Sequence, residues 1–171
     1  MKRIYFTLAL LLTVGLSSSF AQQKYGHVNF NGLVAQMAET KAADSELEAY
    51  QKQLVAAGEK MAQEFQTKVA KFQQDIQGGG VTPKSQAERE KALGDERNKI
   101  LQYEQEVQQK LAAKREQLIK PIVDKAQKAV EEYAKANGYG MVFDTSIFNS
   151  VLFAQDSDDL MPALKAKLGI N

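Results

Sequence analysis

The sequence has no cysteine, a single histidine, three prolines and no excess charge of either sign. Without cysteine the chain can form no disulfide, no thiol nucleophile and no thiolate metal site, so its stability must come from packing and association. One histidine, His27, can build no histidine metal cluster and no Ser-His pair with a further ligand to spare. In its short apolar setting it reads as a strand residue. The charges, 22 basic and 21 acidic, nearly cancel. That balance lacks the clustered Lys and Arg excess that phosphate neutralisation requires, and so argues against nucleic acid as the main partner. Long apolar runs are missing too, with one exception at the N-terminus. Nothing beyond Leu16 approaches the roughly 20 apolar residues of a membrane-spanning helix.

The exception is "MKRIYFTLALLLTVGLSSSFA". Lys2 and Arg3 precede an apolar run from Ile4 to Leu16 and a small-residue stretch, which is the layout of a secretory signal. Residues 1–21 are read as a signal peptide cleaved after Ala21, and Gln22–Asn171 as an exported chain of one domain's length. An uncleaved N-terminal anchor is the alternative. The missing cysteine excludes a lipoprotein anchor.

The middle of the chain is helical. Between Val34 and Gln77 no proline intervenes, and Leu47, Tyr50, Leu54, Ala57, Met61, Phe65, Val69, Phe72 and Ile76 recur at about 3.6 residues per step. The stripe is narrow, with Gln, Glu and Lys on the other faces, so this helix calls for one partner helix rather than a globular core. The partner follows Gly78, Gly79 and Gly80. Thr82 suits an N-cap and Pro83 a first helical position, with Ser85 and Glu88 offering an alternative capping box. A second stripe runs through Ile100, Tyr103, Val107, Leu111, Leu118, Ile122, Ala129 and Tyr133 to a stop at Asn137 and Gly138. Residues 34–137 therefore form a long antiparallel helical hairpin, a coiled-coil arm of roughly 60 Å with its tip at 78–82. A glycine-rich phosphate cradle is the competing reading of that tip. It fails because the glycines follow a helix instead of a strand, and neither phosphate-loop spacing is present.

The two ends differ in character. "KYGHVNF" (24–30), "YGMVFDTS" (139–146) and "SVLFAQ" (150–155) are rich in aromatic and β-branched residues and read as strands, the last two as a hairpin. A closing helix is capped around Ser157–Asp159, accepts Pro162 in its first turn and ends at Gly169. Asp156, Asp158 and Asp159 lack the spacing of a calcium loop and fit a helix start, where the macrodipole favours acids. The mixed charges of the second helix form a solvated face. No catalytic site, metal site or cofactor site is legible. Three short strands make a poor independent sheet with open edges, so the sheet is expected to be completed by further copies of the chain.

The strand "YGHVNF", the long helical hairpin, "NGYGMVFDTS" and the run "VLFAQDSDDLMPALKAKLG" together resemble the OmpH/Skp family of periplasmic chaperones over essentially the whole exported chain. The resemblance implies a mostly α fold with a small β element: helical arms on a small β-barrel trimerisation body formed from residues 22–33 and 138–171. It implies a homotrimer whose arms enclose a cavity, acting as an ATP-independent holdase for unfolded outer-membrane β-barrel proteins in the periplasm. Val28, Phe30, Met141, Phe143, Leu152 and Phe153 are then expected in the shared β core, with Ile122, Val130 and Tyr133 beneath it. Gly58, Gly94 and Pro121 interrupt the arm helices and mark points where the arms yield. The near-neutral charge leaves contact with membrane open, and no residue pattern singles out a client-binding site. An exported trimeric coiled coil that spaces partners in the envelope is the alternative.

Overall fold

Two long helices account for most of the protein. The computed structural model describes residues 23–170, and the expected signal peptide, residues 1–21, lies outside them. In chain order the elements are β1 (Lys24–Val28), α1 (Phe30–Gln36), α2 (Ala38–Gln77), α3 (Pro83–Ala136), β2 (Tyr139–Asp144), a 3-10 turn (Asp156–Asp158) and α4 (Met161–Leu168).

The helix boundaries follow local chemistry. Thr82 is extended, and its Oγ1 accepts the Ser85 N–H at 3.3 Å, with Pro83 opening the helix. α3 then runs unbroken across Pro121. It stops where the Asn137 side chain donates to the Tyr133 carbonyl at 2.8 Å and Gly138 turns left-handed at φ 72°. At the far end α2 closes on Gly78, and of the three tip glycines only Gly79 has positive φ, 67°.

Contacts between α2 and α3 run in opposite order along the two helices. Glu39 pairs with Lys125, Glu46 with Lys114 at 2.6 Å, Lys68 with Glu96 at 2.6 Å, and Asp75 with Arg89 at 2.6 Å. The apolar stripe lies between them, but Leu47, Tyr50, Leu54, Met61, Phe65, Val69 and Phe72 are only half-buried. Ala43, near the root, is the one fully buried residue of α2.

β1 and β2 form a parallel two-stranded sheet, with Tyr25 opposite Met141, Gly26 opposite Val142, His27 opposite Phe143 and Val28 opposite Asp144. Two sequence-based expectations change here. Residues 150–155 form no strand and no hairpin with β2: β2 pairs with β1 from the other end of the chain, and the segment runs on to β1, where Gln155 and Asp159 meet His27. Phe30 is not a strand residue: Asn29 caps a new helix, its Oδ1 accepting the Gly32 N–H at 2.8 Å, and Phe30 opens α1.

The core is small and divided. Val34, Met37, Ala43, Ile122 and Ala126 form one cluster at the root of the long helices, with Phe30, Leu118 and Ile119 against it. Val28, Leu33, Leu160 and Leu164 form a second beneath the sheet, with Val130, Tyr133, Tyr139 and Val142 against it. α4 closes this cluster, started by Asp159 Oδ1 on the Met161 N–H at 2.8 Å and ended by left-handed Gly169.

Candidate functional site

A strand places alternate side chains on opposite faces. In β1 that alternation turns Val28 inward, where it is 2% exposed, and leaves Tyr25 outward at 49%. Parallel register puts Met141 beside Tyr25 and Phe143 beside His27, and these remain 55% and 44% exposed. The Tyr25 and Phe143 rings lie 6.4 Å apart, tilted by 42°. The sheet therefore has an apolar, largely aromatic outer face that the described residues do not cover.

The segment after β2 enlarges this surface. Residues 145–155 carry Ile147, Phe148, Leu152 and Phe153, of which Phe148, Leu152 and Phe153 are more than four-fifths exposed. A groove of about 330 Å³ brings Tyr25, His27 and Phe143 together with Val151, Phe153 and Asp158. Side chains of this kind facing water together mark an association surface.

The residues expected in the shared core thus divide. Met141, Phe143, Leu152 and Phe153 are outward-facing. Val28 is buried under the sheet of its own chain, above Val130 and Tyr133. Ile122 and Phe30 belong to the cluster at the helix root. Tyr25, Ile147 and Phe148 were not among the expected residues; Tyr25 lies on the strand face opposite Val28, the β1 position that was expected.

Polar contacts hold the loop's two ends. His27 Nε2 donates to the Gln155 carbonyl at 3.1 Å, and the Leu160 N–H donates to the His27 carbonyl at 2.9 Å. At the other end Asp144 Oδ1 accepts the N–H groups of Ser146 at 2.8 Å and Phe30 at 3.1 Å. Burial pushes the Asp144 carboxyl up. The adjacent Ser146 hydroxyl, which completes no hydrogen bond of full geometry, and those two N–H groups outweigh burial and hold the carboxyl below its ordinary value.

Along the arm, Gly58 faces Tyr103 of α3, whereas Gly94 faces open space. Pro121 is exposed beside a shallow groove that includes Ala43, Leu118 and Ile122. Near the tip, Phe72, Ala92 and Leu93 line a second groove with Lys68, Lys71 and Arg89. Among the described residues no group of three or more acidic or histidine side chains is placed to hold a metal ion.

The sequence matches the family described as outer membrane protein (OmpH-like) over residues 24–168. The chain belongs to the OmpH-like family. Among solved structures this OmpH-like chain is similar to the crystal structure of a candidate outer membrane chaperone (OmpH-like) from Caulobacter crescentus. The two share 14% identity with a TM-score of 0.73, over 85% of this chain and 83% of that one. At that identity the likeness speaks for the fold. No curated protein sequence matches the chain.

Proposed function

We propose that this OmpH-like protein is an ATP-independent periplasmic holdase. It is a homotrimer whose bodies, residues 22–33 and 138–171, join in a small β-barrel. Its hairpin arms, residues 34–137, enclose a cavity that shelters unfolded outer-membrane β-barrel proteins.

The reading is carried by one combination: a helix pair that reaches away from the core with only a half-buried seam, rooted on a body whose outer sheet face is apolar and exposed. The face calls for cover, and the edge of β2 away from β1 calls for a strand. Further copies of the chain supply both. Three arms then offer many weak apolar and hydrogen-bonding contacts at high effective concentration, which suits clients that share no single epitope. Holding of this kind is equilibrium binding and needs no hydrolysis, metal or covalent step.

Dilution of a urea-unfolded β-barrel protein into the signal-free chain tests the reading. Scattering should stay low without nucleotide and with EDTA present, and the chaperone should sediment at three times its chain mass. A folded monomer at micromolar concentration, or a strict need for ATP or metal, overturns it. A rigid trimeric coiled-coil adaptor is the second reading, favoured by the close fit of Tyr103 against Gly58. Such a protein would bind one epitope and leave diverse unfolded chains to aggregate.

A further inference from the structure

Leu168 and Ile170 pack against both hydrophobic clusters, and Asp144 adds a polar link between Val28 of one and Phe30 of the other. Asp144 ends β2 opposite Val28 in register, and the Thr145 N–H extends the pairing by donating to the Val28 carbonyl at 3.0 Å. Its Oδ1 takes the Phe30 N–H at 3.1 Å and the Ser146 N–H at 2.8 Å, while its backbone carbonyl takes the Ser150 hydroxyl at 2.8 Å. Phe30 in turn packs on the cluster at the helix root. One residue therefore fastens three segments: the root of the arm, the sheet, and the loop that exposes Ile147, Phe148, Leu152 and Phe153. Among the described residues no other hydrogen bond joins α1 to that loop.

We propose that Asp144 is a positioning residue for assembly, whose carboxylate fixes the direction in which the apolar loop leaves the sheet relative to the root of the arm. The proposal rests on the reading that the outer face and loop join copies of the chain. A carboxylate is suited to the task because a single charged oxygen holds two N–H donors, and charge-assisted hydrogen bonds are shorter and stronger than neutral ones. An amide keeps an oxygen acceptor without the charge, and alanine keeps neither.

The test compares the signal-free chain with Asp144→Ala, Asp144→Asn and Leu152→Glu. Three quantities are followed: mass against concentration by sedimentation, helix content by circular dichroism, and hydrogen exchange at the amides of Ser146 and Phe30. In Asp144→Ala the concentration for assembly should rise by roughly tenfold or more, as expected for losing bonds to a charged acceptor. Helix content should be retained, and exchange should quicken at both amides. Asp144→Asn should lie between, which a requirement for side-chain volume alone does not predict. Should Asp144→Ala fail to fold, Asp144→Asn carries the test, and wild-type assembly by folded Asp144→Asn overturns the proposal. Wild-type assembly by Asp144→Ala, or loss of arm helix in step with loss of assembly, also overturns it. Leu152→Glu separates the two levels. If it dissociates the protein while Asp144→Ala does not, only the role of Asp144 falls. If it leaves the mass unchanged, the association surface falls and the role of Asp144 with it.

Discussion

The ring of Tyr103 lies across Gly58. A Cβ built on Gly58 would stand 3.3 Å from Tyr103 Cε1, and the Tyr103 hydroxyl donates to the carbonyl of Leu54, one turn earlier on the same helix, at 2.9 Å. The hydrogen bond holds the ring where the missing side chain leaves room. Gly58 thus has a packing reason to be glycine, and Gly94, with open space around it, does not.

The two glycines should respond differently to alanine. Gly94→Ala should stabilise the protein by about 0.5–1 kcal/mol, the usual cost of glycine inside a helix. Gly58→Ala should lower the melting temperature, because the pinned ring cannot yield. In a Tyr103→Leu background the sign should reverse, since a flexible side chain can move aside. Thermal unfolding of the four chains forms the cycle that checks this coupling. If arm compliance governs client range, Gly94→Ala is the clean variant for comparing protection of small and large barrel proteins.

Charge on the outer face and charge at the helix root should have different effects. Phe143→Glu should dissociate the assembly and leave helix content intact, because Phe143 faces outward. Phe30→Glu should destabilise each chain by about 1–3 kcal/mol, because its side chain packs on the buried cluster of Val34, Met37, Ala43, Ile122 and Ala126. Sedimentation and denaturant unfolding together separate the outcomes. Dissociation without loss of chain stability in Phe30→Glu is the result that contradicts this assignment.

Acid should loosen both the body and the root of the arm. Asp144 is held below its ordinary value of 3.8, and Glu39 and Glu132, hydrogen-bonded by Lys125 and Lys167, are also held low. For a carboxyl whose folded value lies below its unfolded one, the unfolded state takes up the proton first. The stabilisation is then complete above the unfolded value and is lost as pH falls through the folded value. Unfolding midpoints should be level from pH 7 to about 5 and fall below about pH 4. Asp144→Asn should flatten part of that acid slope and lower the plateau at neutral pH.

At the tip, the three glycines are not equivalent. Gly79→Ala should cost about 1 kcal/mol, because φ there is positive and a Cβ is strained whatever the space. Gly80→Ala meets no such strain and should be neutral or slightly stabilising. Equal effects at the two positions in thermal melts would contradict the tip geometry.

Features set by neighbours in sequence were the legible ones. Thr82 and Pro83 announce the start of α3, Gly138 and Gly169 mark helix ends, and the 3.6-residue spacing of the stripes gives the long helices. Less legible were features that depend on partners distant in sequence. "SVLFAQ" has strand composition, but a strand needs a neighbour, and this segment pairs with neither strand before Gln155 and Asp159 reach His27 of β1. The run "NFNGL" continues the apolar character of β1, so Phe30 passed for a strand residue. The Asn29 cap was the available signal. Val28 was expected in the shared core, yet parallel pairing turns it onto α4 of its own chain. The fit of Tyr103 to Gly58 depends on the axial register of two helices, which a repeating stripe leaves degenerate.

The parallel sheet also dictates an order of events during synthesis. β1 emerges early and β2 only after both long helices, so β1 must wait, unpaired, while everything between it and its partner is made. The helix pair is stitched by contacts that become more local toward its tip and can form progressively, whereas the sheet requires closing a loop that contains the whole arm. A chain cut short before Tyr139 keeps the sequence of its two long helices and has neither β2 nor α4, hence no sheet. In the proposed trimer, a chain that ends before β2 has no outer sheet face to offer another copy, so topology alone would keep it out.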